Sequence, residues 1–177
     1  MKLTLPNGDD LFFTADTHFY HKNLVRYANL PFSNASERVD LIVERWNDVV
    51  SKKATVFHLG DFAFGKRERA EKILKRLNGK IHIVYGNHDA TARKLRHLWA
   101  SESEYVELTI KEGVPRLIVL CHYPFRVWRN KRYGAWHLHG HCHGNLENPV
   151  PNSLDVGIDL WDFRPVAYSA IAAEWSI

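Results

Sequence analysis

The sequence has few cysteines and lacks a long apolar run, and both shortages limit the classes of protein to which it can belong. Two of its 177 residues are cysteine, too few for a small secreted domain stapled by disulfides. Its apolar runs all fall short of the roughly 18 residues that cross a membrane. Near the start, Pro6, Gly8 and two aspartates interrupt the apolar stretch that a secretory signal needs. We therefore expect a cytoplasmic protein without a membrane partner.

The sequence also lacks a strong charge bias, internal repeats and low-complexity segments. The 24 basic and 20 acidic residues leave a net charge of +4, which suits an anionic substrate but is too small to indicate nucleic-acid binding. Hydrophobic residues make up 45% and charged residues 25% of the chain, as in ordinary globular proteins. This composition and length predict one domain over residues 1–177.

Apolar runs alternate with helical patterns along the chain, which predicts an α/β fold. The predicted strands are short apolar runs bounded by turn residues, and they cover residues 11–15, 55–59, 80–85, 105–111, 116–121, 154–158 and 165–168. The predicted helices have apolar residues three and four apart, and they cover residues 36–52, 67–77 and 91–100. The segment that begins at Ser169 fits either a helix or a strand.

Polar, metal-capable side chains follow several of the predicted strands at the point where each strand ends. They are Asp16, His18, Asp61, Asn87, His88, Asp89 and His122. The carboxyl ends of strands form the edge at which α/β sheets build ligand sites. A tract of alternating histidines, HLHGHCHG at residues 137–144, follows the last of these loops. We expect the loops and the end of this tract to meet at one site.

The types of these side chains indicate a metal centre. Asp16 and His18 lie two positions apart and face the same way in extended backbone, as do His141 and His143. Carboxylate, amide and imidazole groups without a thiolate suit Mn²⁺, Fe, Zn²⁺, Co²⁺ or Ni²⁺ better than Ca²⁺. Seven candidate ligands are too many for one catalytic ion that keeps an open position, and they fit two ions.

The succession DTH, GD, GNHD, CHYP and GHCH over residues 16–143 resembles the calcineurin-like metallophosphoesterase family, with the motifs in the family's order. The resemblance implies a four-layer sandwich in which two mixed β-sheets are flanked by α-helices. It also implies a hydrolase that acts on phosphoric ester bonds and depends on two divalent ions, among which we expect Mn²⁺.

The resemblance further assigns roles to individual residues. One ion would be held by Asp16, His18, Asp61 and His143. The second would be held by Asp61, Asn87, His122 and His141, so that Asp61 is shared. His88 would be catalytic near the leaving group, with Asp89 orienting its ring.

The expected mechanism follows from the charges of such a centre. Two divalent ions, two aspartates and a bridging hydroxide leave roughly one positive charge, which attracts a phosphate. The hydroxide would attack phosphorus in line while His88 assists the departing oxygen. Because little of the chain remains to build a substrate cap, we expect a small phosphodiester or a nucleotide as substrate.

The sequence leaves two possible roles for each of several residues near the motifs. His137 and His139 are either strand residues or supports for the ligands. His21 either reaches the substrate or lies at the surface. Asp155 and Asp159 either anchor ligand histidines or, as we favour, serve turns and strand ends.

The substrate contacts are unknown from the sequence. The basic and aromatic loop at residues 125–133 either grips phosphates above the metals or is a solvated loop fixed by its aromatic rings. In GDFAFG, Phe62 and Phe64 are expected to make the mouth of the site apolar. Two alternative functions remain: a nuclease acting on RNA or DNA ends, and a scaffold without catalysis on the same fold.

Overall fold

The computed structural model describes residues 1–21 and 34–175, and over these ranges the chain forms two five-stranded sheets and three α-helices. The strands are β1 (Lys2–Leu5), β2 (Leu11–Thr14), β3 (Thr55–His58), β4 (Lys80–Val84), β5 (Ser101–Ser103), β6 (Val106–Ile110), β7 (Arg116–Leu120), β8 (Trp136–His139), β9 (Ser153–Asp155) and β10 (Val166–Ala167). The helices are α1 (Ala35–Val49), α2 (Arg67–Leu74) and α3 (Tyr168–Trp175). Short 3₁₀ helices cover Ala92–Leu95, Lys131–Tyr133 and Ile158–Leu160.

Both sheets mix parallel and antiparallel strands. Sheet I has the order β10-β2-β3-β4-β5, in which only the pair β10–β2 is antiparallel. Sheet II has the order β1-β6-β7-β8-β9, in which only β6–β7 is antiparallel. This arrangement confirms the predicted sandwich of two mixed sheets flanked by helices. The β6–β7 hairpin and the helical character of the chain after Ser169 are also seen.

The apolar core lies on both faces of sheet I, as the near-continuous apolar runs of β2 and β3 require. Leu11, Phe13 and Phe57 face the space between the sheets. Phe12 and Val56 face the helical layer. The helical layer contributes the spaced apolar residues of α1 and α2, namely Val39, Ile42, Val43, Trp46, Ala70, Ile73 and Leu74. Burial of this amount of apolar surface fixes sheet I and therefore the loops that follow its strands.

Some predicted boundaries are wrong. The helix predicted over residues 91–100 is a 3₁₀ turn followed by strand β5, although Ala92, Leu95 and Trp99 still face the core and the Trp99 indole donates to the Ala92 carbonyl at 3.0 Å. Helix α1 stops at Val49 because Val50 is extended, and it begins after Asn34, whose side chain accepts the Ser36 and Glu37 amides. Within the described ranges, none of the helices combines the length and the apolar character that crossing a bilayer requires.

Candidate metal centre

The candidate ligands meet where the two sheets touch at the carboxyl ends of their strands. After β2, the Ala15 amide donates to the Val156 carbonyl at 3.0 Å, and the Ile158 amide donates back to Ala15 at 2.9 Å. Sheet I supplies the loops with Asp16, His18, Asp61 and Asn87, and sheet II supplies those with His122, His141 and His143. The predicted convergence of these loops is therefore what the fold produces.

One ligand group consists of Asp16, His18 and His143, whose ligand atoms all lie within 4.8 Å of one another. The His18 Nε2 atom is 3.7 Å from Asp16 Oδ1 and 3.3 Å from His143 Nε2. Two atoms that are each about 2.1 Å from the same ion are about 3–4 Å apart. Asp16 Oδ1 is buried and has no hydrogen-bond partner among the described residues. An ion in this group would supply the partner that this oxygen lacks.

The second group consists of Asp16, Asp61 and His122, again within 4.8 Å. The Nδ1 atom of His122 lies 2.8 Å from the Leu59 carbonyl, to which it must donate, so its Nε2 atom carries a lone pair. That lone pair faces the Asn87 Oδ1 atom at 3.0 Å. Both atoms are acceptors, so their close approach is favourable only with a cation between them. The donor set therefore fits a second ion.

Asp16 belongs to both groups, and Asp61, a member of the second, also lies close to the first. Its Oδ2 atom is 3.7 Å from His18 Nε2 and also 3.7 Å from His122 Nε2. Its Oδ1 atom accepts the His88 backbone amide at 2.8 Å, which fixes the carboxylate. One Asp61 oxygen is thus placed to serve both groups.

His141 is exposed and lies at the margin of the site. Its backbone amide donates to Asp16 Oδ2 at 2.9 Å, and its ring centroid is 5.0 Å from that of His122. The two cysteines, Cys121 and Cys142, are free, and neither belongs to the two ligand groups.

The backbone at the site is held in a conformation that side chains rarely adopt. Five of the seven candidate ligands have positive φ values, and they are Asp16, His18, Asp61, His141 and His143. Aspartate and histidine tolerate this region better than most residues, but it still costs free energy that the surrounding structure must supply. A Cβ atom at Gly86 would lie 2.3 Å from Asp61 Oδ1, so only glycine lets this loop approach the carboxylate. Such concentrated strain is typical of functional sites.

Burial controls the charges of Asp16 and His18. Burial, with a smaller contribution from the neighbouring Asp61 carboxylate, raises the pKa of Asp16 to about 8. Burial also lowers the pKa of His18 to about 2, so its imidazole is neutral. A cation beside Asp16 would restore its ionised form, and a neutral imidazole is the form that binds metals.

Asp89 has a different role from the predicted one. It is 1% exposed, and its carboxylate accepts the backbone amides of Gly86 at 2.7 Å and of Asp61 and Phe62 at 2.8 Å. The carboxylate thus holds the two loops together, and the described hydrogen bonds do not join it to the His88 ring. His88 itself is exposed, with its ring centroid 6.0 Å from that of His18.

Arg38 and Asp159 form an ion pair behind the centre. Arg38 was not singled out in the sequence, and the place of Asp159 in a turn, which we favoured, is wrong because this residue contacts a ligand histidine. Asp159 Oδ2 lies 3.0 Å from His143 Nδ1, which fixes the tautomer whose Nε2 faces the ligand group. Asp159 Oδ1 accepts from the Arg38 guanidinium at 3.1 Å, and Arg38 also donates to the Thr17 carbonyl at 2.6 Å. Burial works against the charge of Asp159, but His143 and Arg38 lower its pKa overall. Asp155, by contrast, accepts the backbone amides of residues 144 and 157 and serves turns.

The other histidines in the tract are structural. His137 lies 3.0 Å from both the Val119 carbonyl and the Phe125 amide, and its ring stacks on that of Phe125 at 5.0 Å. His139 is buried and contacts the Gly140 carbonyl through Nδ1. His137 therefore pins the start of the 125–133 loop to sheet II.

The 125–133 loop packs against the outer face of sheet II and not above the metals. Trp128 is 7% exposed and packs with Val119. Arg129 pairs with Glu107, and Lys131 Nζ donates to the carbonyl of residue 126 at 2.8 Å. These contacts favour the interpretation of a solvated loop fixed by its aromatic rings.

Only one of the two phenylalanines in GDFAFG lies at the mouth of the site. Phe62 is fully buried and packs on Trp99, so its predicted place at the mouth is wrong. Phe64 is half-buried, with its ring centroid 5.5 Å from that of His18 and 4.4 Å from that of His21.

The sequence also matches the model of a known protein family. Residues 10–151 match the model of the calcineurin-like phosphoesterase superfamily domain. This range includes every candidate ligand as well as His88 and Asp89.

Two relatives cover most of the chain. An uncharacterized protein of Methanocaldococcus jannaschii is 30% identical, over 91% of this chain and 88% of its own length. The Gene 66 protein of Mycobacterium phage L5 is 27% identical, over 84% of this chain and 86% of its own length. A crystal structure of a protein of unknown function from Aquifex aeolicus has the same fold, with a TM-score of 0.71 and 22% identity over 93% of this chain and 98% of that one.

Proposed function

We propose, from the premise that the chain belongs to the calcineurin-like phosphoesterase superfamily and is a hydrolase of phosphoric ester bonds, that it cleaves a small phosphodiester or a nucleotide at a centre of two divalent ions. Asp16, His18 and His143 would hold one ion. Asn87, His122 and His141 would hold the other, and Asp61 would serve both. The family is metal-dependent, and the ligand groups described above give this chain the means to bind metal.

The observation that carries the proposal is the pair of acceptor atoms Asn87 Oδ1 and His122 Nε2 at 3.0 Å. Without a cation, two acceptors at this distance repel each other, and the His122 side of the pair is fully buried, so little water can separate them. The position of Asp61 Oδ2, 3.7 Å from a histidine of each group, supports a carboxylate shared by two ions. We expect Mn²⁺ to fill both positions, since the ligands are oxygen and imidazole nitrogen.

Two divalent ions bound there would attract the phosphate and provide an activated water as nucleophile. Residues of the chain would supply the proton and position the groups around the ions. The exposed His88 ring, whose centroid is 6.0 Å from that of His18, would donate a proton to the departing oxygen. Asp89 fixes the loop that carries His88 through the Gly86 amide. The buried Asp159 keeps His143 in the tautomer that binds metal.

The contacts of the 125–133 loop support a small substrate over a long nucleic acid. Arg129 is paired with Glu107, and Lys131 is bonded within its own loop. A nucleic acid that spans many phosphates requires a track of free cations. Two of the four cationic side chains of this loop already bond to other residues of the chain.

Removal and return of metal tests the proposal. We expect dialysis against a chelator to abolish hydrolysis of bis(p-nitrophenyl) phosphate or of p-nitrophenyl phosphate, and added Mn²⁺ to restore it, because the ions supply most of the charge that stabilises the transition state. The release of p-nitrophenol measures the rate, and elemental analysis measures the bound metal. Metal-loaded protein that hydrolyses neither ester would contradict the proposal.

His88→Asn tests the role of the exposed histidine. We expect kcat for a phosphodiester with an alkoxide leaving group, such as a dinucleoside phosphate, to fall about 10²- to 10⁴-fold, the usual contribution of a general acid, while the two Mn²⁺ ions still bind. His97→Asn is the matched control, because His97 is also an exposed histidine and lies outside the ligand groups. Equal rates for the two variants would remove His88 from the mechanism.

A further inference from the structure

Two aromatic rings at the centre have no place in the ligand set or in the core. Phe64 and Tyr123 lie outside the buried apolar clusters of the described residues. Each packs instead on the rings of candidate ligands. Open aromatic surface that converges on a polar cleft is typical of ligand-binding sites.

Phe64 lies beside the first ligand group. Its ring centroid is 5.5 Å from that of His18 and 5.3 Å from that of His88. His21 meets it edge-on, at 4.4 Å and 85°, and the Phe64 backbone amide donates to the Phe19 carbonyl at 2.9 Å. Three imidazole rings and this hydrogen bond therefore fix the place of the phenyl ring next to the proposed proton donor.

Tyr123 lies beside the second ligand group. Its side chain is 43% exposed, and its ring centroid is 5.0 Å from those of both His122 and His141, at angles of 75° and 68°. Its hydroxyl makes no hydrogen bond with the residues that the structure describes. The ring is therefore held in place by two ligand histidines while much of it remains open.

We propose that Phe64 and Tyr123 are stacking walls that select phosphoric esters with flat aromatic groups, such as nucleosides. The inference rests on the proposed function, because an ester whose phosphate binds both ions carries its organic groups past these two rings. Phe64 adjoins His88, so it would contact the group that leaves. Tyr123 would contact the group that stays on phosphorus. Base-on-ring stacking of this kind tolerates different bases, because every base has a flat π-face.

Binding measurements on the Mn²⁺-loaded protein test the walls without requiring turnover. We expect the wild type to bind thymidine 5′-monophosphate about 5- to 150-fold more tightly than inorganic phosphate, the range that one stacked base contributes. Calorimetry measures both affinities. Tyr123→Leu should reduce this ratio toward one without changing the affinity for inorganic phosphate, and Tyr123→Phe should keep it. Tyr133→Leu is the matched control. Tyr133 is 88% exposed and lies beside other residues of the 125–133 loop, away from the ligand histidines.

Kinetics separates the two walls. With Tyr123→Leu, kcat/KM should fall more for thymidine 5′-(p-nitrophenyl) phosphate than for methyl p-nitrophenyl phosphate, because the two esters share a leaving group and differ in the group that stays. With Phe64→Leu, kcat/KM should fall similarly for both esters, because both carry the same p-nitrophenyl leaving group that Phe64 would contact.

The proposal is overturned if the wild type binds both ligands equally, or if Tyr123→Leu leaves its preference intact. It is also overturned if Phe64→Leu hydrolyses both esters as fast as the wild type. The wild type could prefer thymidine 5′-monophosphate to inorganic phosphate and still hydrolyse no ester. If Tyr123→Leu removed that preference, the result would support the Tyr123 wall and contradict the proposed function.

Discussion

We expect Asp61→Asn to reduce hydrolysis of a chromogenic phosphodiester by at least about 10³-fold, because several kcal/mol of charge stabilisation would depend on the ions that we propose this carboxylate to hold. The replacement has the same shape, and its amide oxygen can still accept the His88 amide that Asp61 accepts at 2.8 Å. It lacks the negative charge of the Oδ2 atom that lies between His18 and His122. The loss should therefore come from metal binding and not from unfolding.

Thermal unfolding with and without Mn²⁺ separates those two causes. A ligand at 100 times its Kd stabilises the folded state by about 2.7 kcal/mol, so wild-type protein should melt at a higher temperature with Mn²⁺. Asp61→Asn should lose most of that shift while keeping the melting temperature of the metal-free protein. Asp40→Asn is the control, because Asp40 is an exposed aspartate that pairs with Arg76. A full metal-induced shift in Asp61→Asn would show that Asp61 is not a shared ligand.

We expect Arg38→Met to destabilise the protein by about 3–5 kcal/mol, as is usual when one partner of a buried ion pair is removed. The Arg38 side chain is 3% exposed and its partner Asp159 is 17% exposed, so little water can replace the lost guanidinium. The Thr17 carbonyl loses its donor at the same time. Urea unfolding of the metal-free protein measures this loss.

Arg38 should also act on the metal centre through Asp159 and His143. Because partners behind a ligand histidine typically change metal affinity 10- to 100-fold, we expect Arg38→Met to weaken one Mn²⁺ ion in a calorimetric titration and to leave the other nearly unchanged. Combining it with Asp159→Asn removes the unpaired charge and should recover part of the stability.

Arg45→Met is the matched control for this prediction. Arg45 lies on the same helix and pairs with Asp162 at the surface, so its loss should cost at most about 1 kcal/mol. If Arg38→Met is as stable as Arg45→Met and binds both ions equally well, the buried pair does not position His143.

The loops of the centre could be predicted because parallel strands place their carboxyl ends at one edge, and the motifs sit directly after those strands. The role of Asp89 could not. Its neighbour His88 suggested a contact, but side chains of consecutive residues point apart, and the carboxylate turns back to the backbone amides of Gly86 and Asp61.

Other features depend on partners far away in the chain. Strand β1 has four residues and pairs with β6 more than 100 positions later, and β5 consists of the polar residues 101–103, so neither shows an apolar run. Arg38 meets Asp159 across 121 positions. Its place four residues before the buried Ile42 does mark it as facing inward, and this is the signal by which it could have been found.

The distribution of the ligands over the two sheets has a mechanical consequence. His18 belongs to the loop after β2 in sheet I, and His143 follows β8 in sheet II, 125 positions later. An ion between them is a covalent-like cross-link that closes a large chain loop and clamps the two halves of the sandwich. The two cysteines of this protein are both free, so the metal would supply the cross-link that a disulfide supplies in other proteins.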